Sequence, residues 1–522
     1  MARLHIDNVI IKNKGAIIAA IVTAIFTGTA IFMTCIEEYD LLWCWPIIIA
    51  CTAMLILLGV FNLNVDESIN DLLDVQNGSI SMSIISGVIT FIGQMVYYGA
   101  YYPGGFNLDA YGQWDQVHGN MQWDNWHPII TSFIYWILTR IQDDLGFCIL
   151  VQIIIFTFSF VCLIYQMSKI GVKSWVLIAI SVITAVNPAI GTNNVCLIKD
   201  VYFSIAVLWS VIITIRIVTS KGEWLNSNKR HCVYLILTLA FIVMVRHNGI
   251  IYMIPLCLSI IVIYRNTWKR VVIGFIVALL IAIFVETGFL GMISVRKHSN
   301  VDAEMVGIPM AAMVNSYIND YDEVPDEVRE LLEKIADKDT WSDMYYLGEW
   351  DSCRWDVDGD EIIKDLGALN VWKLFIKTAR ACPETTYYSI AENTRIVWQL
   401  VGEVYWNPYV YIEYPNIYGI HEEHNLVCEN IVNRILWISY QVPISSFVWN
   451  TGVLIILLLG AGILAIVSGK RSTYILLIPA FCYMAGIILL LCGPNFRYFY
   501  FEQVIFLPCL ALMMEGIRKR KS

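Results

Sequence analysis

Long apolar runs dominate the chain and predict membrane-spanning helices. A span across a bilayer needs about 20 apolar residues. Twelve stretches of the chain fit this description, at 16–36, 41–61, 80–98, 146–167, 174–190, 200–219, 231–246, 249–264, 271–291, 449–467, 473–492 and 499–515. The apolar piece 128–139 is too short to cross and predicts a re-entrant or interfacial segment. Because the runs are continuous and not alternating, they exclude a transmembrane β-barrel.

The distribution of Lys and Arg predicts which way these spans face. With the N-terminus placed inside, 18 Lys and Arg residues fall on the cytoplasmic side. Only Arg140, Lys199, Arg246 and Arg497 then lie in the short outer segments. By the positive-inside rule both termini are cytoplasmic, while the loop 99–145 and the segment 292–448 are outside.

Composition agrees with this topology and divides the chain into three parts. The chain is 58% apolar and 15% charged, with a mean hydropathy of +0.62. Such values exclude a soluble enzyme, a disordered regulator and a coiled coil. Residues 292–448 hold 26 Asp and Glu against 12 Lys and Arg, whereas the rest of the chain holds 18 against 22. We therefore expect a membrane module at 1–291, an acidic extracytoplasmic domain at 292–448, and further membrane helices at 449–522.

The acidic insert is predicted to be mostly helical. Pro325 opens a helix whose apolar residues share one face, and a second helix runs over about 370–381 and stops before Pro383. The chain has no basic patch outside the membrane-flanking loops, so nucleic acid is not expected as a partner.

The outer loop 99–145 carries the first candidate chemistry. It holds Asp109, Asp115, Asp124, His118 and His127, and it includes a Pro-Gly-Gly turn. A carboxylate beside a membrane can serve as a general base, because partial burial raises its pKa. The alternative is that Asp and Gly are ordinary turn residues here.

Outer basic residues supply the second candidate chemistry. Lys199, Arg246 and Arg497 each lie at the outer end of a span, beside helix-breaking Pro, Gly or Asn. Cations from separate helices that converge can bind phosphate oxygens. The alternatives are ion pairs, for example between Lys199 and Asp200, or contacts with lipid headgroups. Arg140 is interpreted as an interfacial anchor.

Several other patterns are weaker. The aromatic residues of 97–126 and 398–418 could stack on sugars or form an interfacial belt. The acidic WDVDGDE segment lacks the glycine and glutamate positions of an EF-hand, and HEEH lacks the spacing of zinc proteases. No phosphate-binding GxxxxGK loop occurs, so nucleotide-driven work is not expected.

Five short motifs resemble those of a family of membrane enzymes. They are PGGFNLD, DNWHP, the NP…KD pair, RHNG and PNFRY. With the many spans and the outer loop bearing an aspartate, they are similar to the GT-C superfamily of polyprenyl-linked glycosyltransferases. The resemblance implies an all-α polytopic fold of about 12 transmembrane helices with a mostly helical extracytoplasmic insert. The insert lies between late spans, whereas many members carry a C-terminal soluble domain.

The resemblance also implies a reaction in the bacterial cytoplasmic membrane. A polyprenyl-phosphate-sugar would donate its sugar to an envelope glycan, lipid or protein on the outer face, with inversion and amid membrane lipids. Asp109 would be the general base, Asp124 and His127 would position substrate, and Lys199, Arg246 and Arg497 would hold the phosphate. The further substrate-binding candidates are Asp115 in the outer loop and, from the motifs, Asp200, His247, Asn248 and Tyr498. No cofactor is assigned, and a divalent cation stays open. The alternatives are a transporter or lipid flippase and a non-catalytic scaffold.

Overall fold

The computed structural model describes residues 23–30, 77–289, 303, 305–357, 359–401, 410–467 and 474–518. Within these ranges the chain is helical, and extended backbone pairs only in isolated bridges. The predicted spans 16–36 and 41–61 lie wholly or mostly outside the described residues. The predicted helical character is thus confirmed for the part that the structure describes.

Helices of a bundle form most of the described chain before residue 290 and after residue 450. They are α1 (Ile80–Ala100), α2 (Leu108–His118), α3 (Ile129–Ile141), α4 (Leu145–Lys169), α5 (Ser174–Val186), α6 (Pro188–Asn194), α7 (Lys199–Thr219), α8 (Glu223–Ser227), α9 (Lys229–Val245), α10 (Ile250–Ile263) and α11 (Trp268–Ile283).

The intervening segment contributes α12 (Gly307–Asn319), α13 (Asp326–Ile335), α14 (Lys338–Met344), α15 (Asp351–Arg354), α16 (Asp360–Leu366), α17 (Ala368–Ala381), α18 (Pro383–Trp398), α19 (Leu426–Ser439) and α20 (Ile444–Val448). The bundle then closes with α21 (Thr451–Val467), α22 (Tyr474–Ile488) and α23 (Tyr500–Arg518).

Fewer helices than predicted are long and apolar enough to cross a membrane. Five in the described residues meet this condition, or six if a bent pair counts as one span. The five are Ile80–Ala100, Leu145–Lys169, Lys199–Thr219, Arg265–Thr287 and Phe496–Met514. Several other predicted spans are present as apolar helices of 10 to 17 residues. The chain is therefore a helical protein with several candidate membrane spans, and twelve spans are not confirmed.

The bent pair is α5 and α6, which the sequence predicts as one span over 174–190. The two helices meet at an angle of 58°. Asn187 ends α5 with extended backbone, and its side chain then accepts a hydrogen bond from the amide of Ala189 to cap α6. Pro188 at the first position of α6 cannot donate to α5, so the helix breaks here.

The insert has its own hydrophobic core. α13 buries Val328, Leu331 and Leu332 on one face, as the sequence predicts. This face packs in a cluster around Trp341 and Trp350. The cluster also includes Cys492, which follows α22, so the insert packs directly on the bundle.

The C-terminal part of the predicted insert lies against the bundle as well. α19 packs along α1, and a Cβ at Gly99 would lie 2.9 Å from Sγ of Cys428. The amide of Asn425 also donates to the carbonyl oxygen of Gly99 at 2.8 Å. This contact between distant segments has no signature in the sequence.

We call the end of the bundle where α1 ends and α7 begins the site end. The connections α4–α5, α7–α9 and α10–α11 lie at the opposite end, where Asn226 contacts Asn266 and Arg270. These connections and the helix ends beside them carry most of the Lys and Arg residues of 77–289. They are Lys169, Lys173, Arg216, Lys221, Lys229, Arg230, Arg265, Lys269 and Arg270.

Candidate functional site

Asp109 lies in the first turn of α2, directly after a sharp turn in the chain. Gly104 has φ of +124°, and a Cβ there would lie 2.7 Å from the carbonyl oxygen of Val195, so this position requires glycine. Three residues later, Asn107 accepts a hydrogen bond from the amide of Ala110 at 3.0 Å and caps α2. The PGGFNLD motif is therefore a turn followed by a helix cap, and it fixes where Asp109 lies.

Short extended segments pair beside Asp109 and bring helix starts together. The amide of Gly105 donates to the carbonyl oxygen of Val195 at 2.8 Å, and the amide of Phe106 donates to that of Tyr411 at 2.8 Å. Because α7 begins four residues after Val195, this pairing sets the first turn of α7 against that of α2.

The carboxylate of Asp109 contacts two of the predicted site residues. Nη1 of Arg497 lies 2.6 Å from Oδ2 of Asp109, and Nε2 of His127 lies 3.7 Å from Oδ1. The pair is not sealed, because 29% of the Asp109 side chain and 24% of the Arg497 side chain are exposed. Residues far apart in sequence thus meet at one carboxylate.

Lys199 joins the same cluster through His127. Its Nζ lies 3.0 Å from Nδ1 of His127. An ammonium group can only donate, so Nδ1 accepts and the ring hydrogen is assigned to Nε2, which faces Asp109. A continuous chain of polar contacts therefore joins Lys199, His127, Asp109 and Arg497. We call these four residues the Asp109 cluster.

The charges of the Asp109 cluster do not cancel. Burial, reinforced by the positive charge of Lys199, lowers the pKa of His127 to about 3, so this ring is neutral at neutral pH. Burial alone would raise the pKa of Asp109, but the nearby positive charges, chiefly Arg497, hold it below its usual value. One carboxylate thus faces two cations, which leaves a surplus of positive charge.

Helix starts add to this positive field. Lys199 is the first residue of α7, His127 lies two residues before α3, and Arg497 lies in the 3-10 turn Phe496–Phe499 that leads into α23. The N-terminus of a helix carries a partial positive charge and favours anions. Lys199 at this position opposes the dipole of α7, whereas Asp200 in the same turn complements it.

Asp200 and Arg246 form a second, buried ion pair next to the cluster. Nη1 of Arg246 bonds to Oδ1 of Asp200, and their side chains are 5% and 1% exposed. The guanidinium also lies 5.1 Å from the ring centre of Tyr498, which is 5.6 Å from the guanidinium of Arg497. Arg246 is therefore compensated by a carboxylate, and Tyr498 lies between the buried pair and the open one.

Asp115 lies outside the cluster. Its Oδ1 accepts a hydrogen bond from the hydroxyl of Tyr418, which also accepts from Nδ2 of Asn120 at 2.9 Å. Burial and this bond raise the pKa of Tyr418 to about 12. The aromatic rings of Phe106 and Tyr111 pack around Tyr418. In this structure Asp115 ties the chain near residue 418 to α2.

The other predicted residues flank the cluster. Asp124 is buried and accepts from the amide of Trp126 at 3.0 Å, which closes the turn before His127. His247 is exposed, with Nδ1 3.4 Å from Oε1 of Glu286. Asn248 shares the 3-10 turn His247–Gly249 and is half-buried. None of these three side chains contacts Asp109 directly.

One contact at the site was missed by sequence reasoning. The ring centres of Trp126 and Trp355 lie 5.8 Å apart, and the guanidinium of Arg354 lies over both rings. Trp126 immediately precedes His127, so the insert reaches the residue next to the cluster. Abundant tryptophan was the available signal, but it did not indicate which rings would meet.

Metal ligation has no structural support in the described residues. They contain no group of three or more His, Cys, Asp or Glu side chains arranged to hold a metal ion. In the acidic WDVDGDE turn, both carboxylate oxygens of Asp360 accept from Arg354, at 3.1 and 3.2 Å.

Comparisons with known proteins give one match. A family model described as a family of unknown function, DUF6020, matches residues 118–354, which is less than half of the chain. The matched region includes His127, Lys199 and Arg246 but not Asp109 or Arg497. No curated protein and no solved structure matches the chain.

Proposed function

We propose that this protein is a membrane glycosyltransferase that moves a sugar from a polyprenyl-phosphate donor to a hydroxyl acceptor. The observation that carries this proposal is the Asp109 cluster, at one end of an apolar helix bundle. It combines an ionised carboxylate with a surplus of cations, in a partly exposed position. Inverting transfer from a phosphate needs both: a base for the acceptor and positive charge for the leaving group.

The donor phosphate is assigned to Arg497 and Lys199. Arg497 already bonds a carboxylate oxygen at 2.6 Å, and a guanidinium recognises phosphate with the same geometry. Its Nε is buried and has no hydrogen-bond partner, so the group has capacity for a further acceptor. Arg246 supports this site indirectly, since Asp200 compensates its charge.

Donor binding would also activate the base. As long as Arg497 faces Asp109 alone, the pKa of this carboxyl is low and the carboxylate is a weak base. A phosphate that shares Arg497 neutralises part of that positive charge, so the pKa of Asp109 rises. The base therefore gains strength only when the donor is present.

The reaction then proceeds in a single displacement. The acceptor hydroxyl gives its proton to Asp109 while its oxygen bonds to the anomeric carbon. The bond from that carbon to the phosphate oxygen breaks, and its electrons pass to the phosphate. Arg497 and Lys199 stabilise this charge, and polyprenyl phosphate leaves with inversion at the sugar.

Charge distribution supports an outward-facing site. The basic residues of the connections at the opposite end of the bundle are those that the positive-inside rule places in the cytoplasm. The site end, with the acidic insert packed on it, would then face outward. This orientation suits donors that are displayed on the outer leaflet of a bacterial cytoplasmic membrane.

The proposal is tested by measuring sugar transfer in membranes that contain the Asp109→Asn variant. Wild-type and variant membranes receive a panel of polyprenyl-phosphate sugars, and mass spectrometry follows lipid and glycan products. We expect D109N to lower the rate by about 10²–10⁴-fold, the range for loss of a general base.

Asp143→Asn provides the matched control. Asp143 is a carboxylate of the same loop, 60% exposed, and it bonds His118 and not the cluster. D143N should transfer sugar at the wild-type rate. Equal rates in D109N and wild type, at equal protein levels, would exclude Asp109 as the base.

A translocase of lipid-linked phosphates is the second candidate. The break of 58° between α5 and α6 favours it, since transporters use broken helices with helix starts facing an anion. In reconstituted vesicles a translocase would move a fluorescent polyprenyl phosphate between leaflets without any acceptor. A glycosyltransferase would instead require a polyprenyl-phosphate sugar and an acceptor, and it would convert that donor to polyprenyl phosphate.

A further inference from the structure

Trp126, Arg354 and Trp355 form a platform next to the Asp109 cluster. The two rings meet edge to face, with their centres 5.8 Å apart and their planes at 75°. The guanidinium of Arg354 lies 5.5 Å from the centre of the Trp126 ring and 4.7 Å from that of Trp355. We call these three residues the tryptophan platform.

Arg354 holds the platform rigid. It is 2% exposed, and it donates from Nε and Nη2 to the two carboxylate oxygens of Asp360. A bidentate pair of this kind fixes the plane of the guanidinium. The ring of Trp355 stacks on a fixed group and is therefore itself held in place.

Trp355 is nevertheless 64% exposed. Such an exposed tryptophan on a rigid support contributes little to the core, while tryptophan is the residue most often found at binding hot spots. The next residue in the sequence, Asp356, is exposed too, and its carboxylate can accept hydrogen bonds.

We propose that the tryptophan platform binds an uncharged carbohydrate as the acceptor, an inference that rests on the proposed glycosyl transfer. The C–H face of a sugar ring carries slight positive charge, which suits the negative face of an indole. Sugar hydroxyls can donate to Asp356. Trp126 adjoins His127, whose Nε2 lies 3.7 Å from Oδ1 of Asp109, so this proposal directs the terminal hydroxyl of a bound glycan toward that carboxylate.

Charge determines which class of glycan fits. The segment 292–448 carries a net charge of −14, and Trp355 itself lies between Arg354, already paired with Asp360, and the carboxylate of Asp356. An anionic polymer such as a polyphosphate-linked or uronic-acid chain would be repelled from this surface. The acceptor is therefore a neutral oligosaccharide.

Binding of trisaccharides to the full-length protein in nanodiscs tests the platform. Saturation-transfer NMR is recorded with maltotriose, cellotriose, mannotriose, galactotriose and chitotriose, and with trigalacturonate as the anionic counterpart. We expect at least one neutral trisaccharide to bind and trigalacturonate not to bind. Trp355→Ala should weaken that binding by about tenfold, and Trp355→Phe by less, because a ring remains.

Trp437→Ala is the matched control. Trp437 is 67% exposed and lies on α19, away from the platform. W437A should bind as wild type does. Equal binding by wild type and W355A, or no binding of any neutral trisaccharide by wild type, would overturn the proposal.

The same variants separate this inference from the proposed function. If wild type transfers sugar and W355A leaves the acceptor KM unchanged, glycosyl transfer stands and the platform is wrong as an acceptor site. If W355A loses trisaccharide binding but no donor supports transfer, the platform binds carbohydrate and the enzymatic proposal fails.

Discussion

Two carboxylate–arginine pairs lie close together at the site end, and they differ in exposure. Asp109 and Arg497 are 29% and 24% exposed, whereas Asp200 and Arg246 are 1% and 5% exposed. Both pairs join a carboxylate in the first turn of a helix to an arginine at a break between helices. The two pairs contain the same chemical groups, but only Asp109 and Arg497 are accessible to solvent and ligands.

The difference indicates separate tasks. A partly exposed pair can exchange partners with a ligand at low cost, because water and the ligand replace what is lost. A sealed pair cannot, since opening it would leave a buried charge without compensation. We infer that Asp109 and Arg497 meet substrate, while Asp200 and Arg246 hold α7 beside α9 and α10.

Asp200→Asn should reveal the largest difference between the pairs. It leaves the guanidinium of Arg246 buried without a counter-charge, which costs about 3–5 kcal/mol of unfolding free energy. Asp109→Asn should cost less, since water can partly solvate the groups of a pair that is 24–29% exposed. Unfolding by SDS in mixed micelles gives both values.

The double variant Asp200→Leu with Arg246→Met sharpens this result. Replacing a buried pair with apolar residues of similar size is often neutral, so the double variant should recover most of the stability that D200N loses. If D200N proves no less stable than D109N, the buried pair does not have the structural task inferred here.

His127 should make the stability of the protein depend on pH, with an effect smaller than that of Asp200→Asn. Its pKa is about 3 in the folded protein and about 6.5 in an unfolded chain. Between these values only the unfolded state binds the proton, so stability falls as the pH falls. From pH 7.5 to 5.5 the loss attributable to His127 should be about 1.4 kcal/mol.

His127→Gln should remove this part of the pH dependence. Melting temperatures of wild type and H127Q at pH 7.5 and 5.5 give the comparison. His421→Gln is the control, because the His421 side chain is 67% exposed. A wild-type slope that persists in H127Q would mean that the ring is protonated in the folded state.

The sequence indicates Asp109 and Arg497, which we call the open pair, but it does not indicate which residues pack around them. Lys199 and Arg497 stand out because bases at the outer ends of spans are disfavoured, and Asp109 and His127 stand out as polar residues of the outer loop 99–145. Positive-inside statistics placed them on one side, and the structure brings them together. The helix that begins after Pro325 is predicted in another way, from the proline at its start and from apolar residues that share one face.

Contacts between distant segments were beyond sequence reasoning. The compensation of Arg246 by Asp200, and not of Lys199 by Asp200, depends on how α7 faces α9, which hydrophobic periodicity does not specify when a helix is buried almost all round. The break at Asn187 was also missed, although Asn-Pro is a known signal for a helix boundary. Because apolar residues continue on both sides of Asn187, the hydrophobic pattern alone predicts one continuous span.

The smallest effects are expected at Asp115 and Tyr418. Variants of this hydrogen-bonded pair test whether Asp115 is a structural carboxylate or a substrate-binding one. In this structure the Tyr418 hydroxyl donates to Asp115, one turn and a half beyond Asp109 on α2. Tyr418→Phe and Asp115→Asn should each cost about 1 kcal/mol of unfolding free energy, and the double variant should cost less than their sum. Both single variants should keep wild-type sugar transfer in the same membranes. An increased donor or acceptor KM in D115N, with Y418F unchanged, would instead place Asp115 in contact with substrate and extend the open pair along α2.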